Sequence, residues 1–459
     1  MTHDDSVTDH FPRSAWFRHD RFGLFIHFGA FSASGRDAWY QSEARLTPDE
    51  YQTFVDGFRP DLYDAEEWAD HAVDAGVRYA VLTTRHHEGF ALWDTAVSDF
   101  GVMHHGVDRD LVREFLDAFR SRGIKVGLYY SLIDWHHPDY IAYRDWTHPR
   151  RDDEAMRGYP HEWSAYVDMM HAQVRELCSG YGPLDLFWFD MTYPGDERYH
   201  GRRPEDWRAE ELIGIVRSLQ PGIVVNNRLE TSGAGFGSLV SAEPTPWSGD
   251  FVSPEMIIPA DGIRDARGRA VPWEACITHN NHWGYYPLDV DFKTPTQLVR
   301  KLVECVSKGG NLLVNVGPTG RGEWPRRSIE DLAAVGSWLE RNGRSIHGAG
   351  PAGLPKPEWG YYTRRGDVIY AHVLEPPLGP LPLPGLAPDE IVSLRWLHDG
   401  SVVQLAHTWV VHAYPGGAFA AFGPDDSFTY PVPDPIDSVL EIRVRSISEE
   451  PPSRRDESE

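Results

Sequence analysis

The sequence predicts an α/β protein: a (β/α)₈-type TIM barrel followed by a C-terminal antiparallel β-sandwich. Three observations carry this. Short apolar runs rich in β-branched and aromatic residues alternate with helical patterns over the first three-quarters of the 459 residues. Several runs are almost continuously apolar, as parallel strands buried on both faces must be. From about Gly348 the helical period gives way to Pro, Gly and short alternating segments. The boundaries predicted are 1–347 for the barrel, 348–446 for the sandwich and 447–459 for a disordered tail rich in Ser, Glu, Pro and Arg. A doubly wound open sheet is the competing architecture.

The predicted strands, in order, are Phe22–Phe28, Tyr79–Thr84, Lys125–Ser131, Leu184–Asp190, Gly222–Arg228, Trp273–Thr278 and Asn311–Gly317. An eighth, expected between Leu239 and Phe251, is not legible. The helices between them are punctuated. Asp64 with Glu67 makes a capping box, Trp68, Ala69, Ala72 and Val73 form an apolar face, and Gly76 supplies the stop. Leu111, Val112, Phe115, Leu116 and Phe119 repeat at helical spacing up to Gly123. Trp163, Val167, Met170, Val174 and Leu177 make a third face. Thr294, Pro295 and Gln297 open a fourth helix at cap, first-turn and capping-box positions. In the second part, Tyr361–Thr363 and Val368–Leu374 flank a Gly366-Asp367 turn. Ile391–Leu397 and Ser401–Leu405 flank Asp399-Gly400, and Val439–Arg445 is the last strand.

Composition excludes several functions. With 69 acidic and 44 basic side chains the formal charge is −25. Such a body repels nucleic acid and anionic membranes, so neither is an expected partner. Cys178, Cys276 and Cys305 form no C-x-x-C pair and no disulfide framework. Neither a signal peptide nor a run of eighteen apolar residues is visible, which predicts a cytoplasmic protein. Gly348-x-Gly350-x-x-Gly353 has the letters of a dinucleotide fingerprint. No strand precedes it and Pro351 and Pro355 follow, so it is not one.

In such a barrel the chemistry sits at the carboxyl ends of the strands. Those ends carry His27, then His86 and His87, then Tyr129, then Asp190, then Arg228. Any one would be read as a hydrogen-bonded core residue; five strand ends in register weaken that reading. Asp190 follows a run that buries itself, and desolvation there raises a carboxyl pKa. Arg228 on the next strand is placed to keep it ionised, which suits a nucleophile or general base, or a structural salt bridge. The His clusters at 86–87, 136–137 and 279/282 match no metal-ligand spacing. Adjacent His86 and His87 would also point to opposite faces if the strand ran on through them. Hydrogen bonding to sugar-like hydroxyls fits better than a metal. Trp39, Trp188 and Trp283 suit a pocket that covers apolar sugar faces.

These segments together resemble the α-L-fucosidases of glycoside hydrolase family twenty-nine. The match is carried by FGLFIHFG at 22–29, YAVLTTRHHEGFALW at 79–93, GLYYS with Asp134-Trp135, LFWFD ending in Asp190, VNNR ending in Arg228, Trp273–Tyr285 and VSKGGNLLVNVGP at 306–318. The resemblance implies retaining hydrolysis of terminal α-L-fucosides on fucosylated oligosaccharides or glycoconjugates, with no cofactor and no metal. It implies Asp190 as nucleophile. It implies His27, His86, His87, Tyr129, Trp188 and Arg228 as fucose contacts, with Trp39 and Trp283 lining the pocket. The acid/base Glu falls in a variable loop after Arg228, among Glu230, Glu243, Glu255 and Glu274. Gly249–Glu255 fits the pattern best, which favours Glu255, with Glu243 its main rival. Retention predicts the two carboxyl groups roughly 5–5.5 Å apart. Three departures stand out. Ala38 replaces a Glu before Trp39-Tyr40, whose role Asp37 or Glu43 would inherit. NNR replaces NDR, and Met191 stands where Gly is frequent. A fucose-binding protein without turnover and a metal-dependent barrel hydrolase are the other readings. The sequence is silent on the aglycone and on oligomeric state, although barrels of this type often associate into homo-oligomers.

Overall fold

The computed structural model describes residues 10–193, 195–230, 235–424, 428 and 432–445. The expected disordered tail lies outside them. The described chain divides into two compact units. One comprises residues up to 298 together with 308–337, and the other 299–307 together with 338 onward.

The first unit is built on seven strands: β1 Phe22–Ile26, β2 Tyr79–Arg85, β3 Lys125–Ser131, β4 Leu186–Asp190, β5 Val224–Val225, β6 Glu274–Thr278 and β7 Asn311–Val316. They form one parallel sheet in the order β5-β4-β3-β2-β1-β7-β6. The first strand therefore lies between the second and the last, with Phe25 opposite both Val81 and Asn315. Beyond β5, Phe251 bridges Asn226, Val252 bridges Trp273 and Glu255 bridges Cys276, all in parallel sense. Residues 251–255 thus pair on both sides, at the end of the stretch where the illegible eighth strand was expected. Regular pairing in β5 stops after Val225, short of the predicted Arg228, because Asn226 and the Asp250 carboxylate take over. Asp250 accepts from Val225 N–H at 2.8 Å and from Arg217 at 2.6 Å.

Side chains from every strand meet in one core. Phe25, Val81, Tyr129, Trp188, Val224, Cys276 and Leu313 pack together with Phe251. Alternate residues of each strand face the same interior, as the pleat requires. The helices have the expected caps. Asp64 accepts from Glu66 and Glu67 N–H to start Ala65–Asp74, and Asp110 accepts from Arg113 N–H to start Leu111–Ser121. Thr294 and Gln297 exchange bonds ahead of Pro295–Ser307. Each cap is worth about 1 kcal/mol.

The second unit holds eight strands: β8 Gly350–Pro351, β9 Gly360–Arg365, β10 Val368–Val373, β11 Leu381–Leu383, β12 Ile391–Trp396, β13 Val402–Leu405, β14 Ala418–Ala421 and β15 Ser438–Val444. They run in one antiparallel order, β11-β14-β13-β12-β15-β10-β9-β8. Leu381 and Ala420 from one end share a core with Tyr362 and Ile369 from the other, so the sheet folds over on itself. The predicted Gly366-Asp367 turn joins β9 to β10, with Gly366 at φ 60°.

Candidate active site

At the carboxyl end of β4, Asp190 is the centre of a bonded cluster. Its Oδ2 accepts from Tyr129 OH at 2.9 Å, and its Oδ1 accepts from Arg228 at 3.1 Å and from Met191 N–H at 2.9 Å. Burial raises the Asp190 pKa, Arg228 pulls it back, and Glu255 raises it again. The sequence expectation of a desolvated carboxyl beside an arginine is therefore met in geometry and in sign.

Arg228 does more than hold Asp190. Its second terminal nitrogen donates to Glu255 Oε2 at 3.0 Å and to Ser253 O at 3.1 Å, while its Nε donates to Ser253 Oγ at 3.0 Å. The guanidinium also lies 5.0 Å over the Trp188 ring. One fork thus spans two carboxylates, the deeper Asp190 side chain 14% exposed and the outer Glu255 side chain 43% exposed. The other loop glutamates lie elsewhere. Glu230 accepts from Ser238 and Thr245, and Glu243 is exposed. Glu274 is fully buried, accepting from Tyr79 OH and, at 3.3 Å, from Trp188 Nε1; desolvation pushes its pKa up to about 7.

The histidines are fixed as neutral rings. Burial lowers the pKa of His27, His86 and His87. His27 Nδ1 lies 2.6 Å from Asn315 Oδ1, and Asn315 Nδ2 donates to Trp283 O at 2.7 Å. That second bond sets the amide, so its oxygen faces His27 and Nδ1 carries the hydrogen. His87 Nδ1 lies 2.8 Å from Ser131 Oγ, whose own hydrogen goes to Ile133 O at 3.1 Å. His87 is thereby the same tautomer. Both rings keep Nε2 as a bare acceptor.

His86 and His87 do not point to opposite faces. The β2–β3 register shifts between Thr83 and Arg85, and the strand ends at Arg85. The alternation therefore stops before the two histidines, which lie in the turn that Gly89 N–H closes on His86 O. The two rings lie side by side, centroids 3.7 Å apart, with His27 5.5 Å from His86. Trp39 packs 4.9 Å from His87, and Trp283 packs 5.0 Å from His27, on the other side of the cluster. All ten residues named from sequence thus join one network of bonds and ring contacts. Sequence reasoning missed Asn315, Ser131 and Ser253. A polar residue inside an apolar strand, as in NLLVNV, was the signal for the first.

Two of the departures acquire reasons. Asn227 accepts from Ser253 N–H and Oγ, at 3.0 and 2.9 Å, and donates to Gly235 O at 3.0 Å. An aspartate could not make the last bond. Met191 sits at φ 80°, the left-handed region that Gly enters freely. Of the two stand-ins for the residue at Ala38, Asp37 is taken by Gly284 N–H at 2.8 Å and Glu43 is exposed. Among the described residues no three His, Cys, Asp or Glu side chains converge as metal ligands. His279 and His282 are held apart, one by Ser328 and Lys293, the other by Asp289.

The sequence model of the Alpha-L-fucosidase family matches residues 2–344. The chain belongs to the α-L-fucosidase family. An α-L-fucosidase of Dictyostelium discoideum is 29% identical over 399 residues, covering 80% of this chain and 79% of its own length. Among solved structures, α-L-fucosidase isoenzyme 1 from Paenibacillus thiaminolyticus superposes with a TM-score of 0.90 at 44% identity, covering 96% of this chain and 100% of its own. A GH29 α-L-fucosidase from Bacteroides thetaiotaomicron, trapped as a covalent intermediate, superposes with a TM-score of 0.77 at 27% identity, over 95% and 96% of the two chains. As a family member this α-L-fucosidase is a retaining glycoside hydrolase.

Proposed function

We propose that this α-L-fucosidase hydrolyses terminal α-L-fucosides with Asp190 as nucleophile and Glu255 as acid/base. The observation that carries the assignment is the single guanidinium of Arg228 bonded to both carboxylates. In the first step Asp190 attacks the anomeric carbon, the bond to the leaving oxygen breaks, and Glu255 gives that oxygen its proton. In the second, water attacks the same carbon, Glu255 takes the water's proton, and the ester to Asp190 breaks. The depths fit an exo enzyme: the sugar reaches inward to Asp190, and the leaving group stays outside at Glu255. Arg228 and Tyr129 hold the nucleophile, while the histidines and Trp39, Trp188 and Trp283 receive hydroxyls and ring faces. Oligosaccharides or glycoconjugates ending in fucose are the substrates this pocket suits. The parallel pairing through residues 251–255 supports a closed (β/α)₈ barrel beneath the site, and the folded-over second sheet supports a β-sandwich.

Turnover of an aryl α-L-fucoside tests the roles. Asp190→Ala removes activity with the circular dichroism spectrum unchanged. Glu255→Ala slows poorly activated fucosides by roughly 10²–10⁴-fold, and added azide restores turnover as fucosyl azide. Substantial activity in Asp190→Ala, or no azide rescue in Glu255→Ala, overturns the respective role. A panel of α-1,2, α-1,3, α-1,4 and α-1,6 fucosides then defines the linkage.

A further inference from the structure

The turn after β2 holds a carboxyl that the two-step reaction does not use. Glu88 is 1% exposed, and both of its oxygens are sealed from solvent with no side-chain donor bonded to them, its own backbone N–H being the one donor close by. A third sealed atom, His86 Nδ1, has no hydrogen-bond partner and lies 3.5 Å from Glu88 Oε2. The carboxyl packs against Gly29, where a Cβ would come 2.7 Å from the Phe31 ring and 3.0 Å from Glu88 Oε1. Two unpaired buried polar groups facing each other across a short gap would each carry a desolvation penalty, and one shared hydrogen relieves both.

The surrounding charges decide where that hydrogen starts. Arg85, the neighbouring cation, is committed to the Asp134 carboxylate and stacks on Tyr130. Asp37 is tied to Gly284 N–H; His27 and His87 are neutral; Tyr51 and Tyr129 keep their protons. An ionised Glu88 would therefore be a buried charge with no counter-ion left to it. Burial pushes Glu88 up to about 8, against the pull of its own backbone N–H and of Arg85 and with a smaller push from Asp134, and burial pushes His86 down to about 3, opposed by Asp37. Both groups are neutral at pH 7.

We propose that Glu88 is a positioning residue: it keeps its proton and donates it to His86 Nδ1, fixing His86 as the tautomer whose Nε2 carries the hydrogen. His86 then differs from its neighbours. Asn315 and Ser131 pin His27 and His87 with Nε2 bare, whereas Glu88 pins His86 with Nε2–H. The pocket presents two acceptors and one donor to the sugar. This rests on the reading of the three histidines as hydroxyl contacts. When Glu88 ionises it can only accept, so it draws the hydrogen to Nδ1 and strips Nε2 of its donor.

The experiment compares the unmodified enzyme with Glu88→Gln and Glu88→Leu. KM for an aryl α-L-fucoside is measured from pH 5 to 10, and ¹⁵N-histidine spectra of the unliganded protein are recorded, with His86 identified by its loss in His86→Gln. In the unmodified enzyme KM rises about tenfold as pH passes through the Glu88 pKa, the value of one lost uncharged hydrogen bond. Glu88→Gln, whose amide can donate at any pH, stays within about threefold of the neutral KM and loses the alkaline rise. Glu88→Leu shows the raised KM at every pH. The spectra show Nε2–H at His86 in the unmodified protein at pH 7. An Nδ1–H or doubly protonated His86 overturns the proposal, as does an alkaline rise that survives in Glu88→Gln. Absence of any fucoside turnover by the unmodified protein counts against the functional reading instead, because the spectra stand without it.

Discussion

Asp190 needs to be ionised to attack, and its pKa is raised by burial and restrained by Arg228. Activity therefore falls as pH drops through that pKa. Arg228→Met removes the restraint, so the acid limb of kcat/KM moves to higher pH by about one unit or more, measured on the same aryl fucoside. Glu274 shows the opposite dependence, in stability. Its folded pKa is raised to about 7, so its contribution is fully present below the unfolded value and is lost as pH rises through about 7. Glu274→Gln flattens the fall in Tm between pH 5 and 8. It also lowers stability by about 1–3 kcal/mol, because an amide cannot accept from both Tyr79 and Trp188 at once. At this scale the candidate reactive groups were legible in sequence, because titratable residues closing apolar strands are few. Their supports were not. Ser131, Ser253 and Asn315 are ordinary polar letters until the chain brings them beside a histidine or an arginine.

The element that shapes the site is the turn that begins after Arg85. Without it His87 would leave the cluster for the other face of the sheet, as strict alternation predicts. Gly89 closes the turn at φ 85°, where any Cβ would run into the Asp134 carboxylate that pairs with Arg85. Gly89→Ala should cost about 2 kcal/mol or more, read by chemical denaturation, and should weaken fucoside binding with it. Strands β1, β3 and β7 were readable to within a residue or two, since their apolar runs are continuous. The stretch after β5 was not. Asn226 and Asp250 supply its pairing, so residues 251–255 lack the unbroken apolar signature of a strand. The register shift at Thr84 was equally invisible, because it depends on the neighbouring strand.

For the molecule as a whole, the charge of −25 stands apart from a pocket of neutral histidines. A neutral sugar gains nothing from long-range steering. Accordingly kcat/KM for an uncharged fucoside should change less than about twofold between 20 and 500 mM NaCl. The division into units carries a second consequence. Arg300, on the helix between β6 and β7, donates to Leu374 O at 2.9 Å and belongs with the second unit. A chain truncated at residue 347 would leave that helix with its partners missing. Truncation should give a protein that aggregates or melts well below the full chain, as measured by light scattering and calorimetry.

The pinning of His27 by Asn315 and of His87 by Ser131 also bears on which impostors the pocket refuses. An imidazole free to move its hydrogen can greet a donor or an acceptor alike. Here both rings present a bare acceptor in advance, so each asks its partner for a hydrogen. A sugar whose hydroxyl at such a position is replaced by fluorine or a methyl ether has none to give. Selectivity against those mimics is then set by the amide and the hydroxyl behind the rings.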